Sequence, residues 1–166
     1  MNAMKFGRLD NQMQVCKEHL DTTATWATEV EFFLVQYLLI RICAEWESRI
    51  PVMFERRCSR ITDPHLKQFA TTSAQYFSKR FEIKSIGRTL DRFGADYKKG
   101  FNDTVVTTNS YKAWESLYSN RMAVAHHAGV QMTFADLIRA YNDCLPVLDA
   151  IVASLGLTAD EIRDFV

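Results

Sequence analysis

The fold class is decided by residues 28–50, TEVEFFLVQYLLIRICAEWESRI, where apolar side chains return every three or four residues. One apolar stripe consists of Phe32, Val35, Leu39, Ile42, Trp46 and Ile50. This period predicts a long α-helix, which Pro51 should end, kink or restart. The opposite side is also apolar, through Val30, Phe33, Leu34 and Tyr37. We therefore expect the helix to pack on two sides, in the centre of a bundle or at an interface.

The rest of the chain also has helical patterns, with no Asn-Gly or Asp-Gly hairpin signal and only three prolines. Further helices are predicted at residues 64–81 after the Asp63-Pro64 cap, at 86–93 between Ser85 and Gly94, and at 95–101. Another helix is predicted at 111–127 after Ser110. A long helix should run from the Thr133/Asp136 capping box to Gly156, with a kink at Pro146, and a short one should follow the Thr158/Glu161 capping box. The predicted fold class is all-α.

Length and composition favour one domain covering residues 1–166. A chain of 166 residues with 48% hydrophobic content can bury a sizeable core. No internal repeat, low-complexity tract or interdomain linker interrupts it. Because no Gly-rich phosphate loop is present, nucleotide-dependent chemistry of the Rossmann or P-loop kind has no support.

The cysteines and the apolar runs suggest a cytoplasmic protein. Cys16, Cys43, Cys58 and Cys144 form no CxxC pair and have no zinc-ligand spacing with histidines, so we interpret them as reduced. The N-terminus lacks the apolar core of a signal peptide, and the longest apolar run is interrupted by Gln36. We expect neither secretion nor a membrane-spanning segment.

Charge is balanced overall and uneven locally. Twenty basic and twenty acidic residues cancel, which argues against binding nucleic acid by bulk charge alone. Residues 56–99, however, contain eleven Lys or Arg against four acidic residues. This section is a candidate surface for guiding RNA, and the solvated faces of two or three helices are an equal alternative.

The candidate chemistry lies in residues 119–127, SNRMAVAHH, where Arg121 and His126 are five residues apart. An imidazole can take a proton from a ribose 2′-hydroxyl near neutral pH, and a guanidinium can stabilise the charge that develops on the attacked phosphate. Neither role needs a metal or another cofactor. The two side chains diverge by about 140° on an ideal helix. They can act together if the helix ends near His126, as Gly129 suggests, or if a second subunit completes the site.

Arg121 falls on the inward stripe of its helix, where an arginine needs a partner or a function. The structural alternative is a buried salt bridge to Glu45 or Glu115. Arg41 and Glu45 form a predicted i,i+4 pair, which can be a structural ion pair or a support for Arg121, and we favour the structural role.

Two neighbours of the motif are secondary candidates. Asn120 can donate a hydrogen bond to phosphate or help to order the site. His127 lies about 100° further round the helix than His126, so we interpret it as a solvent-facing neighbour. Adjacent histidines on a helix point apart, which disfavours a metal site made from His126, His127 and a carboxylate.

These residues resemble a known family. Residues 114–155, WESLYSNRMAVAHHAGVQMTFADLIRAYNDCLPVLDAIVASL, resemble the C-terminal half of the HEPN (higher eukaryotes and prokaryotes nucleotide-binding) superfamily. Its domains carry an arginine, four to six residues and a histidine near the end of one helix, followed by a loop and a long final helix. Arg121 and His126 match with four intervening residues. Residues 37–50, YLLIRICAEWESRI, are similar to the first core helix of the RiboL-PSP-HEPN nucleases.

Two positions depart from the family pattern. Met122 follows the arginine where the family often has a polar residue. Ala128 stands where one toxin subgroup has a tyrosine, so control by nucleotidylation of that tyrosine has no basis here.

The resemblance implies an up-and-down bundle of four core helices with short accessory helices. It also implies a homodimer in which two Arg/His pairs face each other across a cleft and cut RNA without metal. The expected function is a metal-independent endoribonuclease of a toxin–antitoxin or phage-defence system, with RNA as substrate and a cognate antitoxin protein as a possible partner. Two alternatives stay open: a non-catalytic HEPN module that binds nucleotide, RNA or a partner protein, and a plain helical dimerisation scaffold.

Overall fold

The computed structural model describes residues 6–77, 81–105, 109–126, 129–158 and 160–165, and these ranges contain helices and no strand. The helices are α1 (Gly7–Thr23), α2 (Glu29–Cys58), α3 (Pro64–Phe77), α4 (Ile83–Phe93), α5 (Ala95–Val105), α6 (Asn109–Ala125), α7 (Phe134–Leu155) and a short 3-10 helix (Asp160–Phe165). The predicted all-α bundle is therefore confirmed.

The long helix α2 organises the core, packing against α1, α3, α6 and α7. It begins as predicted, because the Thr28 side chain caps it and accepts a hydrogen bond from the Val30 N–H at 3.2 Å. Trp46 is fully buried and stacks on Trp114 of α6, with ring centroids 4.7 Å apart. Tyr141 of α7 stacks on the same indole, with centroids 6.1 Å apart. These three rings join the central helices.

α2 continues through Pro51 to Cys58, so the predicted end at residue 50 is too early. Proline removes the hydrogen bond to the carbonyl four residues before it, and its ring crowds that carbonyl. The turns that follow bury Met53, Phe54 and Cys58 almost completely. The hydrophobic gain from burying these side chains offsets the lost bond.

The helix α1 was missed in the sequence. It buries Leu9, Met13, Cys16 and Leu20, spaced by four, three and four residues. That spacing is a helical signal, but only one residue in each turn is apolar and buried. A stripe this narrow is weak against the polar residues that surround it.

Several boundaries differ from the sequence prediction. Ser85 and Ser110 lie inside α4 and α6 and are buried, so neither is an N-cap. The predicted 95–101 helix extends to Val105 because Phe101 and Val105 are both buried. The helix predicted at 64–81 runs to Phe77 in the described residues.

The three other predicted caps are confirmed by side-chain hydrogen bonds. Asp63 accepts from the Leu66 N–H at 2.8 Å at the start of α3. Thr133 and Asp136 form the reciprocal capping box of α7, which continues through Pro146 and ends at Gly156 in the left-handed conformation. Glu161, inside the 3-10 helix, accepts from the Thr158 N–H at 2.7 Å, as the predicted capping box requires.

All four cysteines are buried with free thiols. Burial is the main cause that raises the pKa of Cys43 to about 12, so this thiol stays protonated near neutral pH. In the part of the chain that the structure describes, no helix is both long and apolar enough to cross a membrane.

Candidate functional site

The motif helix α6 has two unlike halves. Its first half, residues 109–117, buries Ser110, Trp114 and Leu117. The indole N–H of Trp114 donates to the Phe81 carbonyl at 2.7 Å, which satisfies the one polar group of that side chain. The second half, taken together with the next residue as 118–126, contains no fully buried residue. We call these the buried half and the open half of α6.

Arg121 lies in the open half and pairs with α2. Its Nη2 is 3.1 Å from Glu47 Oε1, and the two side chains are 33% and 32% exposed. The predicted partners Glu45 and Glu115 are therefore wrong. Nη1 points to Met122 Sδ at 3.8 Å, so Met122 orients the guanidinium by a weak sulfur contact. An arginine that is a third exposed can still reach an anion in solution.

His126 is the first residue after α6 and its side chain is exposed. Its backbone N–H donates to the Met122 and Ala123 carbonyls, both at 3.1 Å, and Gly129 follows with a φ of +76°. The prediction that the helix ends near His126 is confirmed. On an ideal helix, residues five apart are separated by about 7.5 Å of rise and about 140° of rotation, so Arg121 and His126 of one chain are not expected to point in the same direction.

Asn120 orders the loop that follows α6. Its Nδ2 donates to the Ser116 carbonyl at 2.9 Å, and its Oδ1 accepts from the Gln131 N–H at 3.0 Å. Of its two predicted roles, these contacts favour the ordering of the site. His127 and Ala128 lie outside the described residues. Among those that are described, no three His, Cys, Asp or Glu side chains form a group that could hold a metal ion.

The predicted pair of Arg41 and Glu45 is wrong. Glu45 Oε1 instead accepts from Arg49 Nε at 2.7 Å. Both arginines are four residues from Glu45, but a glutamate N-terminal to its cation has the more favourable geometry on a helix. The Nε of Arg41 is buried without a hydrogen-bond partner. Neither residue supports Arg121 in this structure.

An apolar face of α2 stays uncovered beside the motif. It comprises Val30, Phe33, Tyr37 and Ile40, and the Phe33 side chain is 62% exposed. We call it the α2 stripe. Ile40 lies two helical turns before Glu47 and therefore on nearly the same side of α2 as the partner of Arg121. In the described part of the chain these four side chains stay exposed, and the interface predicted for this side of α2 stays a prediction.

The start of α2 also contacts the loop that follows the motif. A Cβ on Gly129 would lie 3.3 Å from Phe32 Cζ, so this loop packs closely on α2. Glu31 accepts from the Ala27 N–H at 2.7 Å and from the Phe134 N–H at 2.9 Å, joining the first turns of α2 and α7. The roles of Glu31 and Glu47 were not predicted from the sequence. The only signal for Glu31 is an acid in the first helical turn, where the helix dipole favours it.

The fold and the motif together define an all-α bundle protein with an arginine and a histidine at the open end of a core helix. A sequence model of the RiboL-PSP-HEPN family matches residues 9–156. The chain therefore belongs to the RiboL-PSP-HEPN family of the HEPN superfamily. No curated protein and no solved structure matches it significantly.

Proposed function

We propose that this chain is an endoribonuclease that cleaves RNA without a metal ion, using Arg121 and His126. One observation carries the proposal: both residues lie on the partly exposed end of one helix, inside the span that matches the family. The open half of α6 buries no side chain completely, so this part of the chain is available for contacts beyond its own core.

The proposed reaction is attack by the ribose 2′ oxygen. His126 takes the proton of the 2′-hydroxyl, the 2′ oxygen bonds to the adjacent phosphorus, and the bond from phosphorus to the 5′ oxygen breaks. Arg121 stabilises the negative charge on the phosphoryl oxygens during the transfer. A second imidazole, from another copy of the chain, protonates the leaving 5′ oxygen. The products are a 2′,3′-cyclic phosphate and a 5′-hydroxyl.

The α2 stripe supports a composite site in a homodimer. A two-fold contact uses the same surface on both copies, and an apolar stripe can pair with itself without leaving charges unpaired. Because the stripe lies next to the Glu47–Arg121 pair, such a contact would bring both motifs towards the two-fold axis. The different directions of Arg121 and His126 on one chain are then compatible with one cleft.

A toxin or phage-defence role fits this activity, with a cognate antitoxin as a possible partner. An active toxin should give far fewer host transformants than its His126→Ala form. The second candidate function is a non-catalytic HEPN module. The Glu47–Arg121 ion pair favours it, because the Glu47 carboxylate already binds one nitrogen of the guanidinium.

The test is cleavage of bulk transfer RNA in EDTA by wild type, Arg121→Ala and His126→Ala. EDTA excludes contaminating metal-dependent nucleases. His19→Ala and Arg139→Ala are matched controls, because both side chains are exposed and lie on other helices. Circular dichroism checks that every variant is folded.

We expect the wild type and both controls to cut and to leave cyclic-phosphate ends, with a loss of about 10²- to 10⁴-fold in the two motif variants. Equal cleavage of all-2′-deoxy substrate would contradict attack by the 2′ oxygen. Equal cleavage by all variants, or by none, would favour the non-catalytic HEPN module instead.

A further inference from the structure

A second uncovered surface lies between α3 and α4, on helices that do not carry the motif. A cavity of about 720 Å³ opens there, lined mainly by apolar side chains. Its lining includes Ile61, Leu66, Phe69, Ala74, Thr89 and Phe93. We call it the α3/α4 groove. Its volume is in the range of pockets that bind a ligand or an anchoring side chain.

The helix α3 leaves one face uncovered along this groove. Leu66, Phe69 and Tyr76 are 55%, 70% and 68% exposed, and their spacing of three and seven residues places them on one side of the helix. Single exposed apolar residues are ordinary on a protein surface. Three large ones in line, next to an apolar cavity, are typical of a surface that binds another molecule.

One end of the groove is basic. A smaller cavity of about 360 Å³ shares Ile61 and Phe93 with the first and is also lined by Arg57 and Tyr97. Arg57 donates to the Tyr97 hydroxyl and lies 5.5 Å from the centre of its ring, and no described carboxylate is within ion-pairing distance of it. Arg92 also lines the larger cavity.

The sequence that forms the groove is basic, like its Arg57 end. Residues 56–99, which include both walls of the groove, hold eleven basic and four acidic residues. The groove thus combines an apolar floor with a basic end lined by Arg57 and Arg92, and this end attracts an occupant of opposite charge.

We propose that the α3/α4 groove binds an acidic amphipathic helix of a partner protein. The apolar lining takes the apolar face of that helix, and the basic end takes its carboxylates. α3 has 14 residues and is about 21 Å long, which is enough to run beside a helix of three to four turns. This binding can be tested independently of RNA cleavage, because no groove residue belongs to the motif.

Two other occupants fit less well. A second copy of the chain, bound through the same groove by two-fold symmetry, would bring the two basic surroundings together. RNA would match the charge but would place its phosphates against an apolar floor, where charged groups lose hydration without compensation.

The experiment measures binding of two labelled helical peptides of about 18 residues to the full chain by fluorescence anisotropy. One carries leucine at positions i, i+3, i+7 and i+10 with glutamate on the opposite face, and the other has lysine in place of each glutamate. Nuclear magnetic resonance of the isotope-labelled chain locates the contact. The groove variant is Leu66→Ser with Phe69→Ser, and Val15→Ser on α1 is the matched control, since its side chain is similarly exposed and lies outside the groove and the α2 stripe.

We expect the acidic peptide to bind the wild type and to shift resonances of Ile61, Leu66 and Thr89. Affinity should fall by roughly tenfold or more in the groove variant and for the lysine peptide, and stay within about twofold in Val15→Ser. If the double variant loses helicity, single Phe69→Ser and the wild-type resonance map decide the result.

Four outcomes would overturn the proposal. The first is no binding of the acidic peptide up to about 1 mM. The second is equal affinity for the two peptides or for wild type and groove variant. The third is an RNA oligonucleotide that displaces the peptide and loses affinity in the groove variant, which would make this surface an RNA-guiding one. The fourth is dissociation of a wild-type dimer by Phe69→Ser, which would make it a contact between copies.

Discussion

The two halves of α6 differ in what they contact, although they belong to one continuous helix. In the buried half, Trp114 is enclosed between Trp46 and Phe81 and its indole N–H is satisfied. In the open half, Arg121 is a third exposed and His126 is exposed. Packing therefore accounts for the residues of the buried half, whereas the open half lacks the burial that would explain its residues by stability alone.

α2 shows the same division. Its first six residues, 29–34, include no buried side chain, whereas from Val35 onwards the helix buries one face, with Trp46 and Ile50 among the buried residues. The two open segments adjoin, since Gly129 after α6 packs on Phe32 of α2. This helix pair therefore has a core end, around Trp46 and Trp114, and an open end, formed by the open half of α6 and the start of α2.

The largest expected effect is at the core end. Trp114→Ala should lower the free energy of unfolding by about 3–5 kcal/mol, because it leaves a cavity beside Trp46 and removes the donor to the Phe81 carbonyl. Urea unfolding measures this loss. Trp26→Ala is the matched control: Trp26 is 38% exposed and should cost much less. Equal losses in the two variants would break the contrast between core end and open end.

The next effect is at the α2 stripe. Phe33→Asp should weaken self-association by about 30-fold or more, because a buried aromatic at the centre of an interface contributes 2 kcal/mol or more. Sedimentation velocity over a range of concentrations measures it. Phe69→Asp on α3 should keep the wild-type mass. A wild type that stays monomeric at every concentration would contradict the dimer.

A smaller and more selective effect is expected at Glu47. Glu47→Gln should cost at most about 1 kcal/mol of stability, since the ion pair is partly exposed. RNA cleavage should still fall by about tenfold or more, because Arg121 loses the group that positions it. Glu45→Gln removes a similar ion pair, to Arg49, and should leave cleavage unchanged. Equal cleavage by the two variants would mean that Glu47 does not position Arg121.

The smallest effect is a pH dependence beyond the end of α2. Hydrogen bonds from Arg60 hold the pKa of Glu161 at about 2, below its ordinary value of 4.5. The stabilisation is therefore fully present above about pH 4.5 and is lost as the pH falls towards 2. The difference in Tm between wild type and Glu161→Gln should shrink over that range. A difference that does not change with pH would contradict the assignment.

A helix could be predicted from the sequence wherever its pattern depends only on residues within that helix. The apolar period of residues 28–50 and the Thr133/Asp136 box depend only on neighbouring residues, and both are confirmed. The motif pair was identified by the spacing of Arg121 and His126. The end of its helix was predicted from Gly129. α1 was missed because its apolar stripe is narrow among polar residues.

The partners of the charged residues could not be predicted, because they depend on how helices cross. Arg121 meets Glu47, and not Glu45 or Glu115, since that choice is made between α6 and α2. Glu45 has an arginine four residues away on each side, and only the geometry of the pair selects Arg49.

The most direct test of the central claim uses two inactive chains in one dimer. Arg121→Ala and His126→Ala chains carry different tags, are expressed together, and are purified through both tags so that only mixed dimers remain. We predict that each variant alone is inactive and that the mixed dimer cleaves transfer RNA in EDTA at roughly half the wild-type rate or less, because one arginine and one histidine from different chains complete a site. A mixed dimer that forms and stays inactive, while wild type purified through the same two tags is active, would contradict a composite site.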